Sequence, residues 1–259
     1  QGNYKEAIKL GLAAYRANAD AIKFQIYFAE EFLSTDHPRY QHFKKQSFTK
    51  KNWLQIFKKL KKHQLTRKIY ADVFGLNALK FAIKSNLDGI KIHSSDLSNI
   101  KLLKYLKKYK KKIFISCGGS NLIEIRSALE IIRSKNVVLL HGFQNYPTSI
   151  EDVNFEKLKK IKSFFGNTVD YGYQDHTSGA SDYSLYLPLI SIGIGVNFIE
   201  KHITFNRKKK GVDYFSSVEP AEFKKFVRTV NKCLSTLKKP GEWYSKSEIK
   251  YREEVKKNW

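Results

Sequence analysis

Short apolar runs alternate with longer amphipathic segments along most of the chain. The runs end in polar residues and are short, which is typical of strands buried in a parallel sheet. The segments between them carry apolar residues three and four positions apart, as expected for helices that cover such a sheet. This pattern predicts strands at residues 21–26, 68–73, 89–93, 113–116, 137–141, 169–173 and 197–202.

The order of these elements predicts the fold class. Helical segments separate the strands, and a further helix at about residues 4–18 precedes the first one. Strict alternation predicts parallel pairing, and eight such units close most often into a (β/α)8 TIM barrel. We therefore predict an α/β barrel that lacks its first strand in this chain. A doubly wound open sheet is the alternative, but no GxGxxG motif follows any predicted strand.

Three segments complete the predicted organisation. Residue 1 is not Met, so we expect an N-terminal truncation that removed the first barrel strand. Residues 28–51 show little periodicity and predict a long loop over the site. Residues 238–259 contain a charged helical segment at 247–257. The expected organisation is a barrel domain over residues 1–237, followed by a linker over residues 238–259.

Composition narrows the protein class. With 259 residues, of which 42% are hydrophobic, the chain can bury a full core, and it has no apolar run of membrane-spanning length. We expect a cytoplasmic protein with no membrane partner. The two cysteines, Cys117 and Cys233, do not form a CxxC pair, so neither a disulfide framework nor a zinc knuckle is expected.

The net charge of +24 raises the question of nucleic acid. The lysines are spread over many segments, however, and most lie between apolar positions at helical spacing, which is typical of solvated outer faces. The distribution of the lysines therefore argues against a nucleic-acid partner. Small anionic substrates, attracted by the same field, fit at least as well.

Two of the predicted strands end in a histidine. The stretches Tyr171–Thr177 and Phe198–Thr204 each run from apolar residues into a histidine, His176 or His202, flanked by carboxylate or hydroxyl side chains. Neighbouring parallel strands bring their carboxyl ends to one edge of the sheet, where ligands collect. The two imidazoles can share a divalent cation. The alternative is that each histidine only caps its strand.

Other strand ends carry cations and hydrogen-bond donors. Lys23 and Lys91 lie inside apolar strand runs, where burial is costly unless an anion compensates the charge. The set favours a phosphorylated, carboxylated substrate together with a metal-bound oxygen. The remaining polar residues at these ends are Gln25, Asp72, Ser94, Asp96, Ser116, His141, Gln174 and Glu200.

An ordered set of short motifs resembles the sialic acid synthase family over nearly the whole chain. The motifs are Lys23-Phe24-Gln25, Lys91 to Asp96 with Asn99, Ser116-Cys117-Gly118, Leu140-His141, Asn145 to Thr148 with Glu151-Asp152, Asp175-His176-Thr177, Ile199 to His202 with Thr204, and Gly211-Val212-Asp213 with Ser217 and Pro220. Each piece is short, and the specificity lies in the ordered set.

The resemblance implies a phosphoenolpyruvate-dependent, N-acetylneuraminate synthase-like transferase. Such enzymes use a (β/α)8 barrel to condense phosphoenolpyruvate with an N-acetylated amino sugar, releasing phosphate and forming a nine-carbon acid. His176 and His202 would then hold Mn²⁺ or Mg²⁺, which polarises the sugar aldehyde as a Lewis acid. A homodimer is also implied, as is a linker at 238–259 toward a C-terminal antifreeze-like domain that is absent from this chain.

The resemblance also implies roles for individual residues. The catalytic set is His176, His202 and Lys91. Asp96, Tyr146 and Asp213 match positions that face the sugar. The positions that bind phosphoenolpyruvate are matched by Lys23, Lys91, Ser94, Ser116, Gln144 and Gln174, and Gln25 completes the predicted substrate-binding set.

Several residues depart from the family pattern. Gln174 stands where Ser is usual, Gly142 where Cys is usual, and Gln144 where Asn or Ser is usual. Asp72 stands where Thr often binds phosphate, so either it faces away from the pocket or the pocket is remodelled. Four departures favour a sugar such as a diacetamido-trideoxyhexose over N-acetylmannosamine: Asp72, Gly142, Cys117 for Thr and Tyr214 for His. The amides at 144 and 174 bear on phosphoenolpyruvate binding instead.

Two other functions remain open at this point. Another phosphoenolpyruvate- or pyruvate-dependent barrel is one, either a deoxy-sugar-phosphate synthase or a lyase that forms a Schiff base on Lys23 or Lys91. A binding protein that kept the barrel and lost catalysis is the other. Retention of both histidines and of the substrate lysines argues against the second.

Overall fold

Eight parallel strands form a single sheet in the order of the chain. The computed structural model describes residues 2–63, 67–143, 145–237 and 243–256. Within these residues the sheet order is β1 to β8 without a crossover, and every neighbouring pair is parallel. The strands are β1 Ala21–Tyr27, β2 Lys68–Phe74, β3 Gly89–Ile92, β4 Lys112–Ser116, β5 Val137–His141, β6 Asp170–Asp175, β7 Phe198–Ile203 and β8 Ser217–Val218.

Helices connect successive strands on the outside of the sheet. The main ones are α1 Tyr4–Arg16, α4 Lys50–His63, α5 Leu76–Lys84, α6 Ile100–Leu106, α7 Leu122–Ile132, α8 Phe155–Phe165, α9 Tyr183–Gly193 and α10 Pro220–Leu234. Two short helices, α2 Ala29–Phe32 and α3 Tyr40–Gln46, lie in the segment predicted as a loop, so that prediction was wrong in part. The tail contains α11 Lys246–Val255, while residues 238–242 and 257–259 lie outside the described residues.

Helix α4 shows how the sequence pattern produces the packing. Its residues Trp53, Ile56, Phe57 and Leu60 recur at helical spacing and are buried, and lysines occupy the opposite face. Its position next to the core is consistent with the ring contacts between Trp53 and Phe57. This apolar stripe fixes which face of the helix packs against the sheet.

The sheet curls so that distant strands meet inside it. A small apolar cluster of Phe114, Val138 and Leu140, packed against Tyr70 and Phe198, lies on the concave side. The rings of Phe114 on β4 and Phe198 on β7 are 5.4 Å apart, although three strand positions separate them. The larger apolar cluster fills the space between strands and helices. The predicted α/β barrel class is confirmed in the form of eight parallel strands curled into a half-barrel.

The two ends of the sheet do not pair with each other in the described part of the chain. No backbone ladder there joins β1 to β7 or β8, and a cavity of about 1080 Å³ lies between these ends, bordered by α1 and α10. Strand β7 is only half-buried along its length, whereas β5 is buried throughout. Strand β8 was missed by the sequence pattern because two residues are too short to show a period.

The free edge of β1 predicts uneven hydrogen exchange. Alternate amide groups of β1 face the gap, whereas β4 is paired on both sides. In native-state exchange followed by mass spectrometry, β1 is expected to exchange at least roughly tenfold faster than β4. Equal protection of the two strands would contradict the free edge.

Candidate active site

Lysines and carboxylates form a buried cluster at the carboxyl end of the strands. Lys23 Nζ lies 2.8 Å from Asp72 Oδ2 and 3.2 Å from Glu200 Oε1. Lys91 Nζ lies 2.7 Å from the same Glu200 oxygen and 3.4 Å from Asp72 Oδ2. Strands β1, β2, β3 and β7 therefore contribute one charged group each, and the Lys91–Glu200 contact spans the interior of the half-barrel.

Strand register explains why these side chains share one face. Gln25 pairs with Asp72, and Asp72 pairs with Lys91 on the next strand. Residues in register on parallel strands point to the same side of a sheet. Glu200 is in register with Gln174 in the same way. The polar positions predicted from the sequence therefore point into the half-barrel together.

The carboxylates and the lysines hold each other in their charged forms. Burial alone would lower the pKa of Lys23, but Asp72 and Glu200 outweigh it and raise that pKa. Burial would raise the pKa of Glu200, yet Lys23 and Lys91 bring it far below its usual value. The pKa of Asp72 is lowered for the same reason, against the effect of its own burial.

The two predicted histidines lie together beside this cluster. The ring centroids of His176 and His202 are 5.1 Å apart, and the ring of Tyr146 meets both edge-on at 5.2 and 6.0 Å. Asp213 Oδ2 is 3.8 Å from His202 Nδ1. The positions of His176 and His202 match the prediction that neighbouring strand ends bring the two histidines together. Tyr146 and Asp213, which the resemblance assigns to the sugar side, lie beside them.

Both imidazoles are in the neutral form at pH 7. Burial lowers the pKa of His176 well below its usual value, and His202 next to it adds to the effect. Burial also lowers the pKa of His202, with Lys23 and Lys91 acting in the same direction against Asp213 and Glu200. A neutral imidazole is the form that binds metal ions.

The histidine pair fits a divalent cation as a partial ligand set. The Nδ1 atom of His176 is buried and has no hydrogen-bond partner among the described residues. An orphaned buried nitrogen of this kind is costly unless a ligand uses it. No group of three or more metal-ligating side chains occurs in the described part of the chain. The protein would thus supply two nitrogen ligands and leave the other positions open.

The backbone of His176 is fixed by two loops. Its carbonyl oxygen accepts a hydrogen bond of 2.8 Å from Thr148 N and one of 2.6 Å from Ser216 Oγ. Both partners come from outside β6, one from the loop after β5 and one from the turn before β8. The position of the His176 ring therefore depends on both loops.

Gln174 and Gly142, two departures from the family pattern, turn out to be coupled. Gln174 Nε2 donates to Ser116 Oγ at 2.7 Å and to the Gly142 carbonyl at 3.0 Å. A Cβ atom on residue 142 would lie 2.2 Å from Gln174 O and 2.6 Å from Gln174 Cγ, and φ at this glycine is +144°. The backbone carbonyl of residue 174, the Gln174 Cγ atom and the positive φ together require glycine at 142. These two bonds use both hydrogens of the Gln174 side-chain amide. Its acceptor, Oε1, is buried and has no partner among the described residues.

Three further predicted site residues, Gln25, Ser94 and Asp96, lie near the carboxyl ends of β1 and β3. Gln25 is exposed and lines the cavity next to Lys23. Ser94 and Asp96 form the turn after β3, where Asp96 Oδ1 accepts a hydrogen bond from Asn99. Gln144 lies outside the described residues.

A second ion pair on the outer face of the same strands was missed from the sequence. Lys201 Nζ lies 2.5 Å from Asp175 Oδ2, and both side chains are almost fully buried. Asp175 Oδ1 also accepts bonds from Thr177 N, Thr177 Oγ1 and Tyr173 OH. Burial lowers the pKa of Lys201, and Asp175 opposes that shift. The alternation of side chains along a strand indicates this placement. Asp175 and Lys201 each directly precede one of the two histidines and therefore face the opposite side of the sheet.

Comparison with known proteins assigns the family. Residues 12–241 match the model of the NeuB family. The chain belongs to the NeuB family. It is 32% identical over 250 residues to an uncharacterized protein of Methanocaldococcus jannaschii, covering 91% of this chain and 68% of that protein. It is 28% identical over 277 residues to the N,N'-diacetyllegionaminic acid synthase of Campylobacter jejuni, covering 99% and 80%.

A solved structure agrees with the assignment. The N-acetylneuraminic acid (sialic acid) synthetase of Leptospira borgpetersenii, in complex with citrate, superposes with a TM-score of 0.86 at 28% identity, over 99% of this chain and 89% of that one. The resemblance to sialic acid synthases and the barrel class predicted from the sequence are confirmed. This NeuB-family chain is an enzyme of the condensing, transferase type.

The buried Lys201–Asp175 pair predicts a large loss of stability when one partner is removed. Lys201→Met leaves the Asp175 carboxylate buried and uncompensated, so the free energy of unfolding should fall by about 3–5 kcal/mol. Lys112→Met is the matched control, because the Lys112–Asp170 pair is 28% and 42% exposed, and its loss should cost less than about 1 kcal/mol. Urea unfolding of both variants measures the difference. Similar losses of unfolding free energy in the two variants would contradict the prediction.

Proposed function

We propose that this enzyme condenses phosphoenolpyruvate with an open-chain N-acetylated amino sugar to give a nine-carbon sialic-type acid and phosphate. The observation that carries the proposal is the placement of two buried lysines, Lys23 and Lys91, beside two neutral imidazoles at one mouth of the barrel. A phosphorylated carboxylate needs the cations, and a carbonyl acceptor needs a polarising group. Membership of the NeuB family agrees with this reaction.

The chain's own residues bind the anionic substrate. Lys23 and Lys91 provide the positive charge for its phosphate and carboxylate. Ser116 Oγ accepts a bond from Gln174, so its hydroxyl proton can be donated to a substrate oxygen. In the reaction, the methylene carbon of phosphoenolpyruvate bonds to the aldehyde carbon, whose oxygen takes up a proton. Water adds to the former enol carbon, and phosphate leaves from it.

The sugar is proposed to lie on the side of Tyr146, Asp213 and Asp96. The ring centroids of Tyr146 and His202 are 6.0 Å apart, and Asp213 Oδ2 lies 3.8 Å from His202 Nδ1. Between N-acetylmannosamine and a diacetamido-trideoxyhexose, we favour the second. The name of the Campylobacter jejuni relative, an N,N'-diacetyllegionaminic acid synthase, supports this choice.

His176 and His202 would hold the divalent ion, either Mn²⁺ or Mg²⁺. When bound, such an ion supplies Lewis-acid polarisation of the carbonyl oxygen. The buried, unpartnered Nδ1 of His176 and the lowered pKa values of both imidazoles support this assignment. The two loops that bind the His176 carbonyl keep the ring in place without the ion.

We also propose that a further parallel strand from outside the 259 residues fills the gap between β1 and the part of β7 that precedes its two-residue pairing with β8. The unpaired edges of the described strands and the cavity between them support this idea. Such a strand would pair with both edges and cover the half-buried face of β7. It would give the catalytic domain a closed barrel.

Turnover tests the proposed reaction directly. Phosphate release is measured with phosphoenolpyruvate, Mn²⁺ and a panel of acetamido sugars, with mass spectrometry of the acid product. Release should depend on the sugar and fall at least about 100-fold in His176→Ala, because a polarising group is lost. His63→Ala is the control, since this histidine is exposed at the end of α4. Borohydride trapping of pyruvate on Lys23 or Lys91, without sugar-dependent release, would replace the proposal with the Schiff-base lyase.

Metal binding is tested without turnover. Titration calorimetry with Mn²⁺ should give one site, with affinity reduced about tenfold or more in His176→Ala and in His202→Ala, because each removes a direct ligand. The exposed His63 of α4 is the control, and His63→Ala should stay within about twofold of the parent protein. Equal affinity in all four proteins would remove the two histidines from the metal site.

A further inference from the structure

Asp72 occupies the space between the two lysine ammonium groups. Its Oδ2 lies 2.8 Å from Lys23 Nζ and 3.4 Å from Lys91 Nζ, and only 2% of the side chain is exposed. Its Oδ1 is buried without a hydrogen-bond partner among the described residues. The question left open by the sequence, whether this carboxylate faces away, is therefore answered: it points inward, toward the two lysines.

The placement changes the charge of the anion site. Within the cluster, the positive charges of Lys23 and Lys91 meet the carboxylates of Asp72 and Glu200, so these four groups sum to zero before a ligand arrives. An anion that approaches the lysines also approaches Asp72. Like charges at such separations repel strongly in a partly buried site. The repulsion grows with each further charge on the anion.

We infer that Asp72 is an internal counter-anion that competes with the substrate for Lys23 and Lys91 and thereby sets the charge selectivity of the site. The inference rests on the proposed function, in which these lysines bind an anionic substrate. Asp72 weakens the binding of all anions, and it weakens a dianion more than a monoanion. It is a specificity-determining residue, because its charge decides which anions the two lysines can hold.

Asp72 suits this role better than Glu200 for a geometric reason. The Glu200 side chain is 17% exposed, whereas only 2% of the Asp72 side chain is exposed. Asp72 is also carried by a strand interior, between the fully buried Ala71 and Val73. A short side chain there cannot turn away from the two lysines, so its charge stays within reach of any anion that they bind.

Binding of inorganic phosphate and of pyruvate to the metal-free protein tests the inference. In Asp72→Asn, phosphate should bind about tenfold tighter and pyruvate about threefold tighter. The variant lacks the negative charge of Asp72, which repels every negative charge on the ligand, so a ligand with more charges gains more affinity. Asp170→Asn is the matched control. Asp170 lies on β6, four positions before Gln174, and pairs with Lys112. Its replacement removes a carboxylate from another lysine pair and should leave both affinities within about twofold.

A second variant separates charge from hydrogen bonding. Asn can donate to phosphate, so Asp72→Leu, which cannot donate, must also bind phosphate more tightly. Unchanged or weaker phosphate binding in the folded variants, checked by circular dichroism, overturns the inference. Equal gains for phosphate and pyruvate overturn the selectivity.

The parent protein provides a test that needs no variant. In a crystal soaked with phosphate, a phosphate that bridges both lysines should be accompanied by a lengthened Asp72–Lys23 contact. A bridging phosphate with Asp72 still 2.8 Å from Lys23 would overturn the competition. None of these measurements needs a sugar, a metal or turnover. A failure of the inference and a failure of the proposed synthase activity can therefore be distinguished by separate measurements.

Discussion

The contact between Lys91 and Glu200 is the interaction on which the site depends. It joins β3 to β7 across the concave face, at 2.7 Å, with Lys23 and Asp72 completing the cluster. Lys91 is almost fully buried and needs anionic partners, of which the nearest lies on β7, so this contact favours the curled sheet over a flat one. In the proposed function, the same charges are the groups that an anionic substrate meets. Stability and binding therefore draw on one set of side chains.

Much of the fold followed from periodicity. Alternating apolar runs and amphipathic segments placed seven of the strands, because a parallel sheet buries both faces and leaves a clear signal. The two-residue β8 gave no period, and helices α2 and α3 were hidden in a segment rich in aromatic residues. Their formation depends on ring packing such as that of Phe32 against Phe43 and Phe74, which local sequence does not encode.

The site was predictable in part for a different reason. Strand ends on one edge identified Lys23, Lys91, His176 and His202, since register puts alternate residues on one face. The inward direction of Asp72 could not be read from its own neighbours. It follows from the pairing of β2 with β1 and β3, which the sequence does not state. The fit between Gly142 and Gln174 is also tertiary, because 32 positions separate the two residues.

The shared carbonyl of His176 limits how the enzyme could be redesigned. One peptide oxygen is the anchor for both Thr148 and Ser216, so the loops that carry them are tied to the same point. Grafting either loop from a relative with a different sugar would move the imidazole unless the graft kept that anchor. Exchanging the two loops together, with Thr148 and Ser216 retained, would keep the imidazole in place while changing which molecules can enter the site.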